Sequence, residues 1–189
     1  MKIKKNHLLP LSLTGIIILL DQASKIIIEW FWPYDKEFPF QYASSTPIAQ
    51  VFGNDFLQII HARNPAIAFS IGVGWPPVIQ QIIFILLPLL VLGILLWYYF
   101  KSTDFTRLQR WAVAGILGGG IGNLIDRVFR SEGVVDFIDF KFFPGFFNGD
   151  RWPTFNAADS SVVVCCILLL ISIIISSILS SKKAKKKAK

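Results

Sequence analysis

Long runs of apolar residues alternate with shorter polar segments along the chain, and four of these runs are long enough to cross a bilayer as α-helices. The predicted spans cover about residues 8–30, 78–100, 111–128 and 156–180. Residues 56–69 instead alternate in the manner of short strands, and a strand or extended turn also fits residues 134–140. The pattern predicts an all-α membrane protein with four transmembrane helices and a small β-rich extracytoplasmic segment.

The composition supports the membrane class. Only 16% of the 189 residues are charged and 53% are hydrophobic, whereas about a quarter of a typical soluble domain is charged. The length suits one compact bundle, so residues 1–189 are predicted to form a single integral membrane domain. Asp21 and Lys25 interrupt the region where a signal peptide would be cleaved, so the first span is interpreted as a retained helix.

The basic residues predict the orientation of the chain. The net charge is +7, and the positive side chains cluster at residues 1–5, 101–110 and 182–189, which flank the apolar spans. The positive-inside rule places these clusters, and therefore both termini, in the cytoplasm. Residues 31–75 and 129–155 are then extracytoplasmic. No aromatic-interleaved basic face accompanies the charge, so no nucleic-acid partner is expected.

A glycine-rich stretch in the third span admits two interpretations. It lacks the Lys-Ser/Thr of a P-loop and the strand context of a dinucleotide-binding turn. Gly115 and Gly119, like Gly118 and Gly122, have the four-residue spacing that lets transmembrane helices approach closely. Close helix packing is therefore predicted.

The thiol and imidazole side chains do not indicate a metal site. Cys165 and Cys166 are adjacent within an apolar run, where a disulfide between them is geometrically unfavourable, so both are interpreted as small hydrophobic residues. His7 and His61 are the only histidines, and no zinc-binding motif includes them. No metal and no cofactor is expected.

Carboxylates end several of the apolar segments. At about 1.5 Å per helical residue, the first two carboxylates lie roughly 20 Å from the cytoplasmic ends of their helices. An ionisable group near lipid is costly to bury, so its presence indicates a functional site. The predicted depths bring all four carboxylates toward the outer face of the membrane. They are Asp21, Asp126, Asp136 and Asp159.

Two of these carboxylates end the same four-residue pattern. Asn123 precedes Asp126 by three residues and Asn156 precedes Asp159 by three, which places each pair on one helical face. Each Asn amide can donate to a carboxylate. A structural ion pair between Asp126 and Arg127 is favoured over direct catalysis by Asp126. Helix capping could explain Asp159, but it leaves the repetition of the pattern unexplained.

A pair of close carboxylates has the chemistry needed to hydrolyse a peptide bond. Both cannot ionise easily, so one retains a proton and acts as an acid while the other acts as a base toward water. Such a dyad needs neither a metal nor a nucleophilic serine. The residue pattern alone does not choose between Asp126, Asp136 and Asp139 as the partner of Asp159.

Four segments resemble those of a known family. They are residues 21–25 (Asp-Gln-Ala-Ser-Lys), 119–127 (Gly-Gly-Ile-Gly-Asn-Leu-Ile-Asp-Arg), 134–137 (Val-Val-Asp-Phe) and 155–160 (Phe-Asn-Ala-Ala-Asp-Ser). In order and spacing they resemble the bacterial lipoprotein signal peptidase (signal peptidase II) family over about residues 19–170. The resemblance implies a multi-pass aspartyl endopeptidase of the bacterial cytoplasmic (inner) membrane. Its partners would be membrane lipid and diacylglyceryl-modified prolipoproteins, cut before the lipidated cysteine, and it is expected to be monomeric.

The resemblance also implies roles for individual residues. It places the catalytic pair at Asp136 and Asp159. It implies that Asn123 and Asn156 orient this dyad and that residues 126 and 127 fix the loop carrying Asp136. The full set of implied supporting or substrate-binding residues is Asp21, Lys25, Asn64, Asn123, Asp126, Arg127 and Asn156.

The chain departs from the family pattern after Asn64. The family usually has Asn-Thr-Gly-Ala-Ala-Phe where this chain has Asn-Pro-Ala-Ile-Ala-Phe at residues 64–69. Pro65 lacks a backbone donor, and Ala66 lacks the conformational freedom of glycine, so a different local turn is expected. The external segment formed by residues 31–56 is also longer than is usual in the family, and this extra length is expected to alter substrate access.

Three other functions are compatible with parts of the sequence. Buried carboxylates also serve small proton- or ion-coupled carriers, although four spans are few for a carrier. A scaffold whose polar residues only pack helices would leave Asp136 unexplained. A Ser–Lys protease using Ser24 and Lys25 is disfavoured because adjacent helical residues point about 100° apart. A lysine near a helix end is also expected to extend toward the membrane surface.

Overall fold

The structure, a computed structural model, describes residues 5–32, 47–52, 56–66, 72, 74–141 and 151–187. Residues 67–69 of the predicted strand run and most of residues 31–56 lie outside these ranges. Within them the helices are α1 (Lys5–Phe31), α2 (Pro77–Gln81), α3 (Leu87–Lys101), α4 (Arg107–Phe129) and α5 (Ala157–Lys187). The strands are β1 (Ala49–Phe52), β2 (Leu57–Asn64) and β3 (Val134–Phe140). The predicted fold class, helical with a small sheet, is confirmed.

Among the described residues, four helical stretches are long and apolar enough to cross a membrane. They are His7–Phe31, Pro77–Lys101, Arg107–Phe129 and Ala157–Lys182. The third begins four residues before the predicted start because Thr106 caps the helix. The Thr106 hydroxyl accepts from the Gln109 backbone N–H at 3.2 Å, and the Gln109 side chain accepts from the Thr106 backbone N–H at 2.9 Å.

The second span contains an irregularity next to its proline. A π-helical turn, Ile82–Leu86, joins α2 to α3, and the Leu87 N–H donates to the carbonyl of Ile82 five residues earlier. Pro88 follows directly and has no N–H to donate. The span therefore stays helical through Pro88, with a π turn just before the proline.

Helix α4 lies between α1 and α5, and its glycines allow both contacts. A Cβ atom at Gly115 would overlap the Cys165 sulfur of α5, and one at Gly119 would overlap the backbone carbonyl of Ala158. On the side facing α1, a Cβ at Gly118 would lie 2.9 Å from a side chain. The predicted close packing at these glycines is confirmed.

Gly119→Ala is expected to destabilise the protein by about 1–3 kcal/mol, because the added methyl meets backbone that cannot move aside without displacing α5. Gly93→Ala is a matched control in α3, since a Cβ there meets nothing within 4 Å. Thermal unfolding in detergent micelles measures both variants. Equal melting temperatures for the two variants would contradict the packing assigned to Gly119.

The three described strands form an antiparallel sheet in the order β1-β2-β3. Its register pairs Ala62 with Asp136 and Asn64 with Val134. The 56–69 run was predicted to form short strands, and β2 confirms this over the part that the structure describes. The sheet therefore places the end of β2 beside the start of β3.

The sheet also fixes where α5 begins. The Phe155 carbonyl accepts from the N–H groups of Phe137 at 3.1 Å and Ile138 at 2.8 Å, and the Phe155 N–H donates to the Ile138 carbonyl. Phe155 precedes α5 by two residues. This bridge brings the first turn of α5 alongside Asp136.

Large apolar side chains are exposed over much of the helical surface. Leu19 and Leu20 of α1, Leu90 of α3 and Ile174 of α5 are examples. Exposed apolar area on this scale is atypical of a soluble monomer and fits contact with lipid chains. The polar groups are instead collected in the interior of the bundle, next to the sheet.

Candidate active site

Asp136 lies on β3 and is 2% exposed. Its Oδ1 accepts from Asn156 Nδ2 at 2.7 Å, and its Oδ2 accepts from Asn64 Nδ2 at 3.2 Å. Asn64 reaches it from the neighbouring strand because Ala62 pairs directly with Asp136, which makes Asn64 its diagonal neighbour. Two amides thus hold the two oxygens of this carboxyl group.

The turn after β2 is organised by Asn64 and Arg127. The Asn64 Oδ1 accepts from the Ala66 N–H at 3.0 Å, so the side chain closes a local turn around Pro65. The Ala66 carbonyl accepts from Arg127 Nη2 at 2.5 Å. The departure from the family pattern at residues 65 and 66 therefore leaves Asn64 in contact with Asp136.

The contact made by Arg127 corrects two expectations. Arg127 was predicted to pair with Asp126 and to fix the loop that carries Asp136. Its guanidinium instead holds the turn after β2 and lies 5.1 Å from the centre of the Phe84 ring. Adjacent residues on a helix point about 100° apart, which turns Arg127 away from Asp126.

Asp159 lies in the first turn of α5, where it takes part in a reciprocal cap. Its backbone N–H donates to Asn156 Oδ1 at 3.0 Å, and its Oδ2 accepts from the Asn156 backbone N–H at 3.1 Å. Its other oxygen, Oδ1, accepts from Asn123 Nδ2 at 2.7 Å. The Asp159 carboxylate thus both caps α5 and contacts Asn123 of the candidate site.

Asn156 joins the two carboxylates. It is fully buried, and its Nδ2 lies 2.7 Å from Asp136 Oδ1 and 3.0 Å from Asn123 Oδ1. Together with the Asn123–Asp159 contact, this makes a chain of amides between Asp136 and Asp159. The two Asn-x-x-Asp patterns are therefore in contact through Asn123 and Asn156, which agrees with the common membrane depth predicted for them.

Beside this chain lies a buried ion cluster centred on Lys25. The Lys25 ammonium is 2.8 Å from Asp21 Oδ2, 2.8 Å from Asp126 Oδ2 and 3.0 Å from Asn123 Oδ1. The side chains of Lys25 and both carboxylates are 0% exposed. The expectation that Lys25 extends to the membrane surface is wrong, because three acceptors satisfy its three donors inside the bundle.

The same contacts weigh against a Ser–Lys catalytic pair. The Ser24 hydroxyl donates to the Asp21 backbone carbonyl at 2.8 Å. The Lys25 ammonium is bound by Asp21, Asp126 and Asn123. Neither residue is placed as that mechanism requires.

The two acidic residues of the cluster each accept a hydrogen bond from the backbone N–H of the residue before Asp136 or Asp159. Asp126 Oδ2 accepts from the Val135 N–H at 3.2 Å, next to Asp136. Asp21 Oδ1 accepts from the Ala158 N–H at 3.0 Å, next to Asp159. The Lys25 cluster therefore holds β3 and the start of α5 in fixed positions relative to each other.

Residues not predicted for the site extend this cluster. Gln22 donates to Asp126 Oδ1 at 3.0 Å, and the Arg130 guanidinium contacts the same oxygen. Arg130 also pairs with Glu29 at 3.0 Å, which in turn pairs with Arg63 of β2 at 2.5 Å. The four-residue spacing of Asp126 and Arg130 on α4 is a signal in the sequence that identifies this pair.

The electrostatic environment sets the protonation of Asp136. Burial raises the pKa of Asp136 to about 8, and the negative charge of Asp159 acts in the same direction. The amides of Asn64 and Asn156, with the more distant charge of Lys25, lower the pKa by a smaller amount. Asp136 therefore carries a proton at neutral pH.

This pKa predicts how stability depends on pH. Between pH 3.8, the ordinary pKa of the group, and about pH 8, the folded protein holds a proton on Asp136 that the unfolded chain has lost. The stability that this group contributes is complete below pH 3.8 and is lost as pH rises to about 8. Melting curves should show wild type losing stability relative to Asp136→Asn across this window. A constant difference would contradict the raised pKa.

The chain matches known proteins over most of its length. Residues 13–175 match the family described as Signal peptidase (SPase) II. A lipoprotein signal peptidase of Treponema denticola is 47% identical over 159 residues, covering 84% of each chain. One from Treponema pallidum is 41% identical over 161 residues, covering 85% of this chain and 80% of the relative.

A comparison of the fold with solved structures also identifies a bacterial membrane enzyme. A solved structure described as a bacterial membrane enzyme, determined at 2.3 Å by the in meso method, superposes with a TM-score of 0.67 at 26% identity. It covers 89% of this chain, and the present chain covers 88% of it. These relatives are membrane enzymes and peptidases, which favours a peptidase over a carrier or a scaffold. The family match includes all four motif segments and both Asn-x-x-Asp patterns, so this multi-pass bacterial membrane protein belongs to the signal peptidase II family.

Proposed function

We propose that this protein is an aspartyl endopeptidase with Asp136 and Asp159 as its catalytic dyad. Its substrates are prolipoproteins whose cysteine carries a diacylglyceryl group, and it cuts the chain immediately before that cysteine. The observation that carries the proposal is that buried Asn156 donates to both carboxyl groups. Its Nδ2 donates to Asp136 Oδ1 at 2.7 Å, and its backbone N–H donates to Asp159 Oδ2 at 3.1 Å. Asn156 thereby links two carboxyl groups supplied by different elements.

The dyad hydrolyses the peptide bond with one shared proton. The ionised carboxylate takes a proton from water, and the resulting hydroxide adds to the scissile carbonyl carbon. The protonated carboxyl, Asp136 at neutral pH, gives its proton to the carbonyl oxygen. When the tetrahedral intermediate collapses, Asp136 takes a proton from one of its hydroxyl groups, the C–N bond breaks, and Asp159 gives the proton that it received from water to the leaving amine. One water is consumed, and both carboxyl groups return to their starting state.

The amides around the dyad support these roles. Asn64 and Asn156 each donate to one oxygen of Asp136, and Asn123 donates to Asp159. These donors fix the direction of each carboxyl group before substrate arrives, which lowers the cost of reorganisation in the transition state. They act as positioning residues.

The substrate class is supported by the Treponema relatives, which are named lipoprotein signal peptidases. The exposed apolar surfaces of α1, α3 and α5 are suited to a substrate that is itself held in the membrane by a signal peptide and two acyl chains. We expect such a substrate to reach the dyad laterally from the lipid.

The proposed orientation places both termini in the cytoplasm and the dyad near the outer face. Lys101, Arg107 and Lys182 mark the ends of three spans at the side opposite to Asp126 and Arg130. Single cysteines introduced at Asp104 and Glu132 test this. In intact cells a membrane-impermeant thiol reagent should label only the Glu132→Cys protein, and the reverse pattern would contradict the orientation.

A cleavage assay with a matched pair of substrates tests the proposed function. The purified protein is incubated with a prolipoprotein peptide carrying a diacylglyceryl cysteine and with the same peptide carrying an unmodified cysteine. The expected result is a product whose mass corresponds to an amino-terminal diacylglyceryl cysteine, formed from the first peptide only. Equal cleavage of both peptides, or a cut elsewhere, would contradict the proposed specificity.

A metal chelator is expected to leave this cleavage unchanged. Over the described ranges, no three His, Cys, Asp or Glu side chains are grouped so as to hold a metal ion. The rate is measured before and after dialysis against chelator. Loss of activity that returns when a divalent metal is added would point to a metal-assisted mechanism in place of the dyad.

A further inference from the structure

A cavity lies at the end of the bundle opposite to Asp136 and Asp159. It has a volume of about 500 Å³, and residues near the starts of α1 and α4 line it. This volume falls within the range of ligand-binding pockets. About 19 residues of α4 separate Arg107, which lines this cavity, from Asp126, roughly 28 Å along the helix. The cavity is therefore distinct from the peptidase site.

One wall of the cavity is cationic. Arg107 and Arg110 both line it, and Arg110 is only 7% exposed. The Arg110 guanidinium donates to the backbone carbonyls of Tyr99 at 3.1 Å and Ser102 at 2.9 Å, which holds it in a fixed position. A buried and preorganised guanidinium is suited to bind a phosphate.

In the part of the chain that the structure describes, no ion pair joins Arg107 or Arg110 to a carboxylate. Asp104, the nearest acidic residue in the sequence, is exposed and accepts a hydrogen bond from Thr103 at 3.2 Å. A buried charge is ordinarily paired, so the cavity is complementary to an anion.

Apart from His7, the rest of the lining is apolar or aromatic. Leu9, Pro10, Phe105 and Trp111 contribute to it, and Leu9 and Trp111 are exposed on the outer surface of the bundle. The cavity also lies where two membrane spans begin, His7–Phe31 and Arg107–Phe129. This is the depth of lipid headgroups, and Trp is commonly found there.

We propose that this cavity binds the headgroup of an anionic phospholipid. The phosphate lies against Arg107 and Arg110, and the acyl chains follow the apolar surface beside Leu9 and Trp111. A free phosphate ion shares the anionic chemistry but would make no use of the apolar side. A zwitterionic lipid has the acyl chains, but its added cationic group is repelled by the two arginines.

The test measures lipid binding to the purified full chain in detergent micelles. Native mass spectrometry follows the retention of phosphatidylglycerol and of phosphatidylcholine with identical acyl chains. Melting temperatures are recorded with phosphatidylglycerol and, in a third arm, with inorganic phosphate alone. Preferential retention of phosphatidylglycerol, with no stabilisation by phosphate alone, is the expected result. Equal retention of both lipids would overturn the proposal, and stabilisation by phosphate equal to that by phosphatidylglycerol would overturn the assignment to a lipid.

Two matched variants separate a defined site from general surface charge. Arg107→Gln removes an exposed arginine of the cavity and is expected to weaken phosphatidylglycerol binding about fivefold. Lys101→Gln removes one positive charge at the same end of the bundle but outside the cavity lining, and it should leave binding unchanged. Equal losses in the two variants would show nonspecific attraction and would overturn the proposal.

Discussion

Asp136→Asn and Asp159→Asn are each expected to abolish cleavage while the protein still folds and inserts. Asparagine has nearly the shape of aspartic acid, but it can neither donate a proton from oxygen nor accept one from water. The rate should fall by about 10⁴-fold, the upper end of the range for general acid–base catalysis. The measurement is release of the signal peptide from a diacylglyceryl-modified prolipoprotein, with melting curves of both variants.

Asp139→Asn is the matched control for these variants. Asp139 lies on the same strand as Asp136 and is also buried, but both of its oxygens pair with Arg151, at 2.7 and 2.9 Å. Its replacement should lower stability and leave cleavage in place. Ser24→Ala should be active as well. If Ser24→Ala is inactive and Asp136→Asn is active, the dyad assignment is wrong.

Lys25→Met is expected to produce the largest loss of stability among single changes in the ion cluster. It leaves Asp21 and Asp126 buried without the cation that lies 2.8 Å from each. Breaking a buried ion pair by removing one partner typically costs about 3–5 kcal/mol. Because these carboxylates also bind the N–H groups of Ala158 and Val135, the loss should extend to the position of the dyad.

A double variant separates charge from packing at this cluster. Asp21→Asn combined with Lys25→Met removes one uncompensated carboxylate, so part of the lost stability should return. Lys101→Met serves as the control, because Lys101 is exposed and its removal leaves no buried charge. Denaturation in micelles measures all four proteins. A Lys25→Met protein as stable as wild type would rule out the structural role assigned to the cluster.

The features that could be predicted from the sequence are those that depend on the spacing of residues close together in the chain. Apolar runs near 20 residues identify helices that match the thickness of a bilayer, and the four predicted spans agree with the helices apart from shifts at their ends. The four-residue spacing of Gly115 and Gly119 predicted close packing, which the contacts with α5 confirm. The three-residue spacing of Asn156 and Asp159 likewise brings these two residues into contact, as a reciprocal cap at the start of α5. The catalytic roles of Asp136 and Asp159 remain predictions that the variants above test.

The partners of the buried charges could not be predicted in this way. Arg127 adjoins Asp126 in the chain, yet Asp126 is paired with Lys25 from α1 and with Arg130 one turn further along α4. Lys25 carries a long side chain suited to the membrane surface, and it is buried only because α1 and α4 pack closely enough to enclose it.

The amino-acid pattern determines the order of the elements along the chain and the residues that adjoin each carboxylate. It can do so because helix periodicity and the length needed to span a bilayer depend only on residues close together in the chain. The meeting of Asp136 and Asp159 does not follow from it. It requires the register of β2 with β3, the bridge from Phe155 to Ile138, and Asn156, whose side chain donates to Asp136 and whose backbone N–H donates to Asp159. These contacts join residues far apart in the chain, so their geometry depends on how the sheet and the helices pack together.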